Sequence, residues 1–160
     1  MISALEIDRR LQEYVSARRK PKLTQIMIGF TSLGSSPVIG VVLLFAYFLG
    51  TSNQFITLSA GVLLTTAAVQ IVKYFSARER PENQVIKASF ASSFPSGHSA
   101  SSFAVATMLS SFYPEVLPLS FALASLVALS RVYLGEHFLS DIVAGSALGI
   151  VIAYVVLSLV

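Results

Sequence analysis

The sequence predicts an all-α protein: a polytopic transmembrane helical bundle of about five spans, or six if its first long segment crosses twice. An N-terminal amphipathic interfacial helix precedes the bundle. Three observations predict this class. Of 160 residues, 54% are hydrophobic and only 12% charged, with a mean hydropathy of +0.75. Soluble domains carry about 25% charged residues, so lipid must solvate much of this surface. Apolar residues also gather in stretches close to the roughly 20 that cross ~30 Å of hydrocarbon, and turn-forming or charged residues separate the stretches. The length suits one domain, read as an interfacial segment over residues 1–22 and a bundle over 23–160.

Residues 2–17 place Ile2, Leu5, Leu11 and Val15 near one helical face and Glu6, Arg9, Arg10 and Glu13 on another. That pattern suits a helix lying in the membrane interface, with a simple tether as the alternative. Leu23 to Gly50 is long enough to span, but Gly34-Ser-Ser-Pro37 interrupts it. One kinked span is expected, or else a re-entrant piece and a shorter helix. Gly50 to Gln54 reads as a turn, Phe55 to about Ser76 as the second span, and Arg78 to Phe94, with Pro81-Glu-Asn, as a polar loop outside the hydrocarbon. Pro95 to Tyr113 is a Ser/Ala-rich third helix, whose small side chains favour helix packing over lipid contact. Leu117 to about Leu134 and Phe138 to Val160 complete the five, and Gly145-x-x-x-Gly149 offers a packing face on the last.

Composition excludes several classes. With no cysteine, disulfides and thiolate metal sites are impossible. Six of the eleven basic residues (Arg9, Arg10, Arg18, Arg19, Lys20, Lys22) precede residue 23, where they suit contact with anionic lipid headgroups. Apolar sequence follows at once, so nucleic acid is not an expected partner. The first apolar stretch follows a long charged segment, which does not read as a signal peptide. Lys73, Arg78, Arg80 and Lys87 form a second basic group, and Arg131 stands alone.

Ionisable groups within an apolar chain are costly and mark function. They form three clusters, each at a helix end. In the first, Lys73 and Arg80 are two helical turns apart and share a face if the helix persists. Two cations on one face of a bundle call for an anion, against the alternative of snorkelling to headgroups. In the second, Phe94-Pro-Ser-Gly-His98 leads into the third helix. A small residue and a glycine there (Ser96, Gly97) let backbone N–H groups approach an anion at the positive end of the helix dipole. In the third, Ser130-Arg131 is followed by His137 and Asp141, an i, i+4 pair on one helical face. Such a carboxylate can hold one imidazole nitrogen protonated and leave the other free to attack. The bland reading is a structural ion pair, which weakens inside an apolar helix beside an arginine.

Both histidines of the chain lie in these clusters. Two histidines and one or two acids are a thin ligand set for zinc, and magnesium would ask for several carboxylates. The expectation is no metal and no cofactor. Cations and backbone donors for phosphate oxygens, a nucleophile and an acid would suffice for phosphoryl transfer.

With these residues in place the chain resembles the type 2 phosphatidic acid phosphatase superfamily, a family of membrane lipid phosphatases. That family's signature is Lys-x6-Arg-Pro, Pro-Ser-Gly-His and Ser-Arg-x5-His-x3-Asp. Here it reads Lys73 to Pro81, Pro95 to His98 and Ser130 to Asp141, in the same order and without departure. The resemblance implies that Lys73, Arg80 and Arg131 bind the phosphate, helped by Ser96 and Gly97. It implies that His137 attacks phosphorus to give a phosphohistidine, with Asp141 orienting it and His98 protonating the leaving oxygen. The expected substrate is a lipid phosphate or diphosphate: phosphatidylglycerol phosphate, phosphatidic acid or a polyprenyl diphosphate. A phosphotransferase using the same intermediate is the first alternative. An anion transporter is the second, and it leaves the His137–Asp141 pair unexplained. Five spans place the N-terminus and the catalytic loops on one side. The N-terminal cations then favour the cytoplasm under the positive-inside rule, whereas the resemblance favours the outer face of a prokaryotic plasma membrane, the face expected here.

Overall fold

Seven α-helices and one short 3-10 turn make up most of the described backbone in the computed structural model, which describes residues 4–86 and 92–160. In chain order the α-helices are α1 (Ala4–Ser16), α2 (Pro21–Leu33), α3 (Ser36–Leu49), α4 (Ser52–Ser76), α5 (Gly97–Phe112), α6 (Leu117–Tyr133) and α7 (Leu139–Ser158). There is no strand among the described residues. Ile2 and Lys87, which the sequence reading assigned to the interfacial face and the second basic group, lie outside them.

Local sequence sets most of the boundaries. Pro21 opens α2, where its missing N–H costs nothing. Thr51 caps α4 by accepting from Gln54 N–H, and Gln54 returns a side-chain bond to Thr51 N–H. The expected turn over Gly50 to Gln54 therefore closes earlier, and Ser52 to Gln54 belong to the helix. The break at Gly34–Ser35 bends α2 against α3 by 47°, so Leu23 to Gly50 is a broken segment, as its Gly-Ser-Ser-Pro run predicts. Gly34 sits where the bend presses on α6: an added Cβ would stand 2.6 Å from Val127 Cγ1.

Span length separates the helices. α4, α7 and α6 with its leading turn are each long and apolar enough to cross a membrane, and the bent α2–α3 pair qualifies when taken together. α5, at 16 residues, is the exception to the expected five. At 1.5 Å per residue it covers about 24 Å, short of ~30 Å of hydrocarbon. Its setting explains how a short, Ser/Ala-rich helix is accommodated, because α4, α6 and α7 surround it. Ala100, Ala104 and Met108 on α5 are fully buried. Outward faces carry Leu44, Phe45, Phe48, Tyr74, Phe75 and Val151, all exposed and suited to acyl chains.

Lipid tails are as apolar as leucine, so close van der Waals packing holds such helices together. The tightest contact is α5 against α7. Cβ atoms at Gly145 and Gly149 would run into the carbonyl oxygens of Ser96 and Ala100. The Gly-x-x-x-Gly spacing is thus a packing face, and it brings the start of α5 onto the start of α7.

α1 forms with Glu6, Arg9, Arg10 and Glu13 exposed as expected, but the face it turns to the bundle is partly polar. It packs on α6 and α7, and the side chains buried deepest in that contact are polar, Asp8 and Gln12. Leu5 and Ile7 are exposed, while Leu11 and Val15 are half-buried. Gln12 donates to the Val132 carbonyl at 3.2 Å, so α1 is bonded to the end of the bundle that carries the three clusters.

Candidate active site

The three clusters meet at one end of a cavity of about 630 Å³. Lys73, Arg80, Gly97, His98, Arg131 and His137 line that end. The other wall is apolar, formed by Ile39 and Leu43 of α3 and Val62 and Val69 of α4. Thr66 and Gln70 on this wall are exposed, so the cavity opens on the side of α4.

Lys73 and Arg80 do come together, although not by the expected route. α4 ends at Ser76, and Ala77 adopts a left-handed conformation with φ 42°, so the helix does not persist to Arg80. The chain turns back instead. Lys73 Nζ and Arg80 both donate to the Ser92 carbonyl, at 2.8 and 3.2 Å. Arg80 also donates to the Glu136 carbonyl at 2.7 Å.

Ser96 is the site residue whose placement differs most from expectation. It is fully buried and does not line the cavity. Its Oγ caps α5, accepting from Ser99 Oγ at 3.0 Å, and its N–H donates to the Asp141 carbonyl at 3.0 Å. A serine N-cap satisfies the orphan donors of a helix start, so Ser96 joins α5 to α7 while Gly97 and His98 face the cavity.

His137 follows a tight reversal. Gly135 has φ +78°, a conformation glycine adopts without strain, and a side chain there would strike the Asn83 carbonyl. Leu134 O accepts from Val85 N at 2.9 Å, tying the two loops together. His137 is 2% exposed. Its Nδ1 lies 3.6 Å from Asp141 Oδ2, and its Nε2 lies 3.4 Å from an Arg80 nitrogen. The Nδ1 distance is longer than a hydrogen bond, and Nδ1 has no other partner. Burial pushes the imidazole down to about 4, although Asp141 opposes the shift. The ring is neutral above that pH, as a nucleophile or base requires.

Asp141 is fully buried and held on both oxygens. Arg78 donates to Oδ1 at 2.6 Å, and Phe138 N–H donates to Oδ2 at 2.8 Å. Sequence reasoning missed the support beneath it. Arg78 also bonds Ser140 Oγ at 2.7 Å and Asp8 Oδ2 at 2.8 Å, and its guanidinium lies over the Phe138 ring. Asp8 in turn accepts from Ser140 N–H at 3.1 Å. Burial pushes the Asp8 carboxyl up, yet the bonds from Ser140 and Arg78 outweigh it and hold it below the usual carboxylate range. An acid and a glutamine four apart, interrupting the apolar stripe of α1, were the available signal. Thr31 was missed as well: it accepts from Arg131 at 2.7 Å across the α2–α6 contact. So was Glu136, whose carboxylate pairs with Arg131.

A neutral, oriented imidazole facing cations at the floor of an apolar cleft can transfer a group from an anionic amphiphile. Known proteins similar to this chain are named as phosphatases. The PAP2 superfamily model matches residues 54–160. Phosphatidylglycerophosphatase B of Bacillus subtilis is 28% identical over 86% of this chain and 75% of its own. Decaprenylphosphoryl-5-phosphoribose phosphatase of Mycobacterium tuberculosis is 32% identical over 65% of this chain and 60% of its own. Among solved structures, LpxE of Aquifex aeolicus superposes with a TM-score of 0.86 at 28% identity, covering 95% of each chain. A transmembrane PAP2-type phosphatidylglycerolphosphate phosphatase of Bacillus subtilis gives 0.84 at 25% identity, covering 97% of this chain and 85% of that one.

Proposed function

The chain belongs to the PAP2 superfamily, and from that premise we propose that it hydrolyses the terminal phosphate of a membrane lipid through a phosphohistidine at His137. One observation carries the reading: Nδ1 of His137 is turned toward buried Asp141 while Nε2 faces Arg80 at the cavity floor. The nitrogen with room to attack is therefore the one beside the phosphate-binding cations.

Lys73, Arg80 and Arg131 hold the phosphate oxygens, and the N-terminus of α5 at Gly97 adds the positive end of a helix dipole. Nε2 attacks phosphorus as the bond to the lipid oxygen breaks, and His98 gives that oxygen its proton. Water then attacks phosphorus and gives a proton to His98. The P–N bond breaks, and phosphate leaves with His137 neutral again. Asp141 holds the Nδ1 proton and stabilises the charge that develops on the ring. No metal takes part, since the cations supply the charge stabilisation.

The apolar wall between α3 and α4 suits the lipid chain. We rank phosphatidylglycerol phosphate ahead of phosphatidic acid and a polyprenyl diphosphate because the sequence match to phosphatidylglycerophosphatase B extends over 86% of this chain. Phosphate release in detergent from all three, with excess chelator present, tests this. The expected result is release fastest from phosphatidylglycerol phosphate and indifferent to chelator. No release from any lipid phosphate would contradict the reading.

We read α5 as a fifth crossing, shielded by its neighbours, in an integral protein of a prokaryotic plasma membrane. α1 is bonded to Arg78 and Ser140, which sets the N-terminus and the catalytic loops at the same end. We assign that end to the outer face, on the strength of the family resemblance. Arg19 does not weigh against it, because it serves a structural role on the carbonyls of Tyr133 and Asn83. The chain has no cysteine and Asn83 is exposed, so Asn83→Cys gives a single reporter. A membrane-impermeant maleimide should label it in intact cells. Labelling only after lysis would place the site in the cytoplasm.

A further inference from the structure

Glu136 is the acid at the site that the mechanism does not use. It directly precedes His137, is 3% exposed and lines the catalytic cavity. Its Oε2 accepts from the Arg131 guanidinium, while Oε1 has no hydrogen-bond partner. Lys73 and Arg80 donate to the neutral carbonyls of Ser92 and Glu136, whereas Arg131 donates to the Glu136 carboxylate. Thr31 occupies its other terminal nitrogen, and its Nε is unpartnered. Among the described residues, apart from the histidines, the charged groups lining the cavity are Lys73, Arg80, Arg131 and Glu136. Three cations and one acid leave two positive charges, against a terminal phosphate carrying about −1.5 to −2 near neutral pH.

A site with three uncompensated cations in a low dielectric would hold inorganic phosphate as firmly as it holds the substrate's phosphate. Tight uniform binding of this kind does not speed turnover. Resting on the phosphatase reading above, we propose that Glu136 is a resident counter-ion that sets the anion affinity of the site. It offsets one of the three cations, so that a terminal phosphate enters and the product phosphate can leave. This makes Glu136 a specificity-determining residue rather than a catalytic one. Its carboxylate stays beside Arg131 when phosphate binds, and the position of Oε1 on the cavity wall leaves an acceptor for a hydroxyl or a protonated phosphate oxygen.

Glu136→Gln separates charge from shape, since the amide oxygen still accepts from Arg131. The probe is inorganic phosphate, titrated calorimetrically into detergent-solubilised His137→Ala and His137→Ala/Glu136→Gln proteins, so that binding is read without turnover. The expected result is about tenfold or tighter binding in the double variant, from removal of one charge within a few ångströms. In the otherwise wild-type enzyme, Glu136→Gln should sharpen product inhibition by phosphate to the same extent. Equal affinity would overturn the proposal while leaving the phosphatase reading intact. Weaker affinity would also overturn it, by showing that Glu136 serves to hold Arg131 in place. Thr31→Val loosens Arg131 without changing charge and should not tighten phosphate binding; tightening there would count against the charge argument. If the glutamine variant does not fold, Glu136→Ala removes the same charge and is read in the same way. Absence of phosphate binding in all of these proteins would contradict the phosphatase reading, and the counter-ion proposal with it.

Discussion

Replacing His137 with alanine should lower lipid phosphate hydrolysis by about 10⁴-fold or more, with little change in the melting temperature. Removing the nucleophile of a covalent mechanism typically costs this much, and what remains comes from binding and charge stabilisation. The side chain sits between α6 and α7, against Asp141 and the cavity, so the α5–α7 contact should survive its loss. His98→Ala should cost less, within the 10²–10⁴-fold expected of a proton donor. Fluorescence-monitored thermal unfolding alongside phosphate release separates the two effects. The pH profile carries a second mark. Because burial pushes His137 down to about 4, the neutral nucleophile persists as pH falls toward that value. Any acid limb above about pH 5 then belongs to another group, such as the substrate phosphate, whose second ionisation lies near 6.

Gly149→Val should be the most damaging change to stability outside the site. A Cβ at Gly149 meets the Ala100 carbonyl, a backbone atom that cannot rotate aside, so α5 and α7 must separate. Overpacking of this kind costs about 3 kcal/mol or more. At ~2–4 °C per kcal/mol for a chain of this length, the melting temperature falls by about 6–12 °C. Separating these helices also breaks the Ser96 N–H to Asp141 carbonyl bond, so activity should fall with stability. Gly29→Val is the matched control. A Cβ there meets nothing within 4 Å, and valine is no worse than glycine in a helix. Its melting temperature should stay within about 2 °C of wild type. Equal effects of the two substitutions would mean that the α5–α7 contact is not the tight one.

Much of this architecture was legible in the sequence because the bilayer restricts what an apolar chain can do. Stretch length located α4, α6 and α7, and the Gly34-Ser-Ser-Pro37 run located the break between α2 and α3. The three clusters converge on one cavity because each stands where its helices reach the same end of the bundle. What local reasoning missed is long-range. The end of α4 at Ser76 matches the expected span, but the left-handed turn at Ala77 that carries the chain back toward Lys73 has no local signal, since alanine is an ordinary helix former. Ser96 was read as a phosphate contact because a Pro-Ser-Gly turn resembles an anion cradle, yet its hydroxyl is taken by the cap and its N–H by α7. Asp8 and Arg78 are 70 residues apart, and they meet only because α1 folds back over the start of α7. Glu136 was passed over as one letter between two motif residues, although a lone acid beside a buried arginine is an electrostatic statement.

The central claim is covalent, so the most direct measurement is to trap the intermediate. Wild-type protein is mixed with a lipid carrying a ³²P-labelled terminal phosphate and quenched in alkali within the first turnover. The account predicts label on a peptide containing His137, stable in alkali, lost on acid treatment and absent from His137→Ala. Rapid phosphate release with no labelled protein at any quench time, or label on a peptide containing His98 instead, would contradict it.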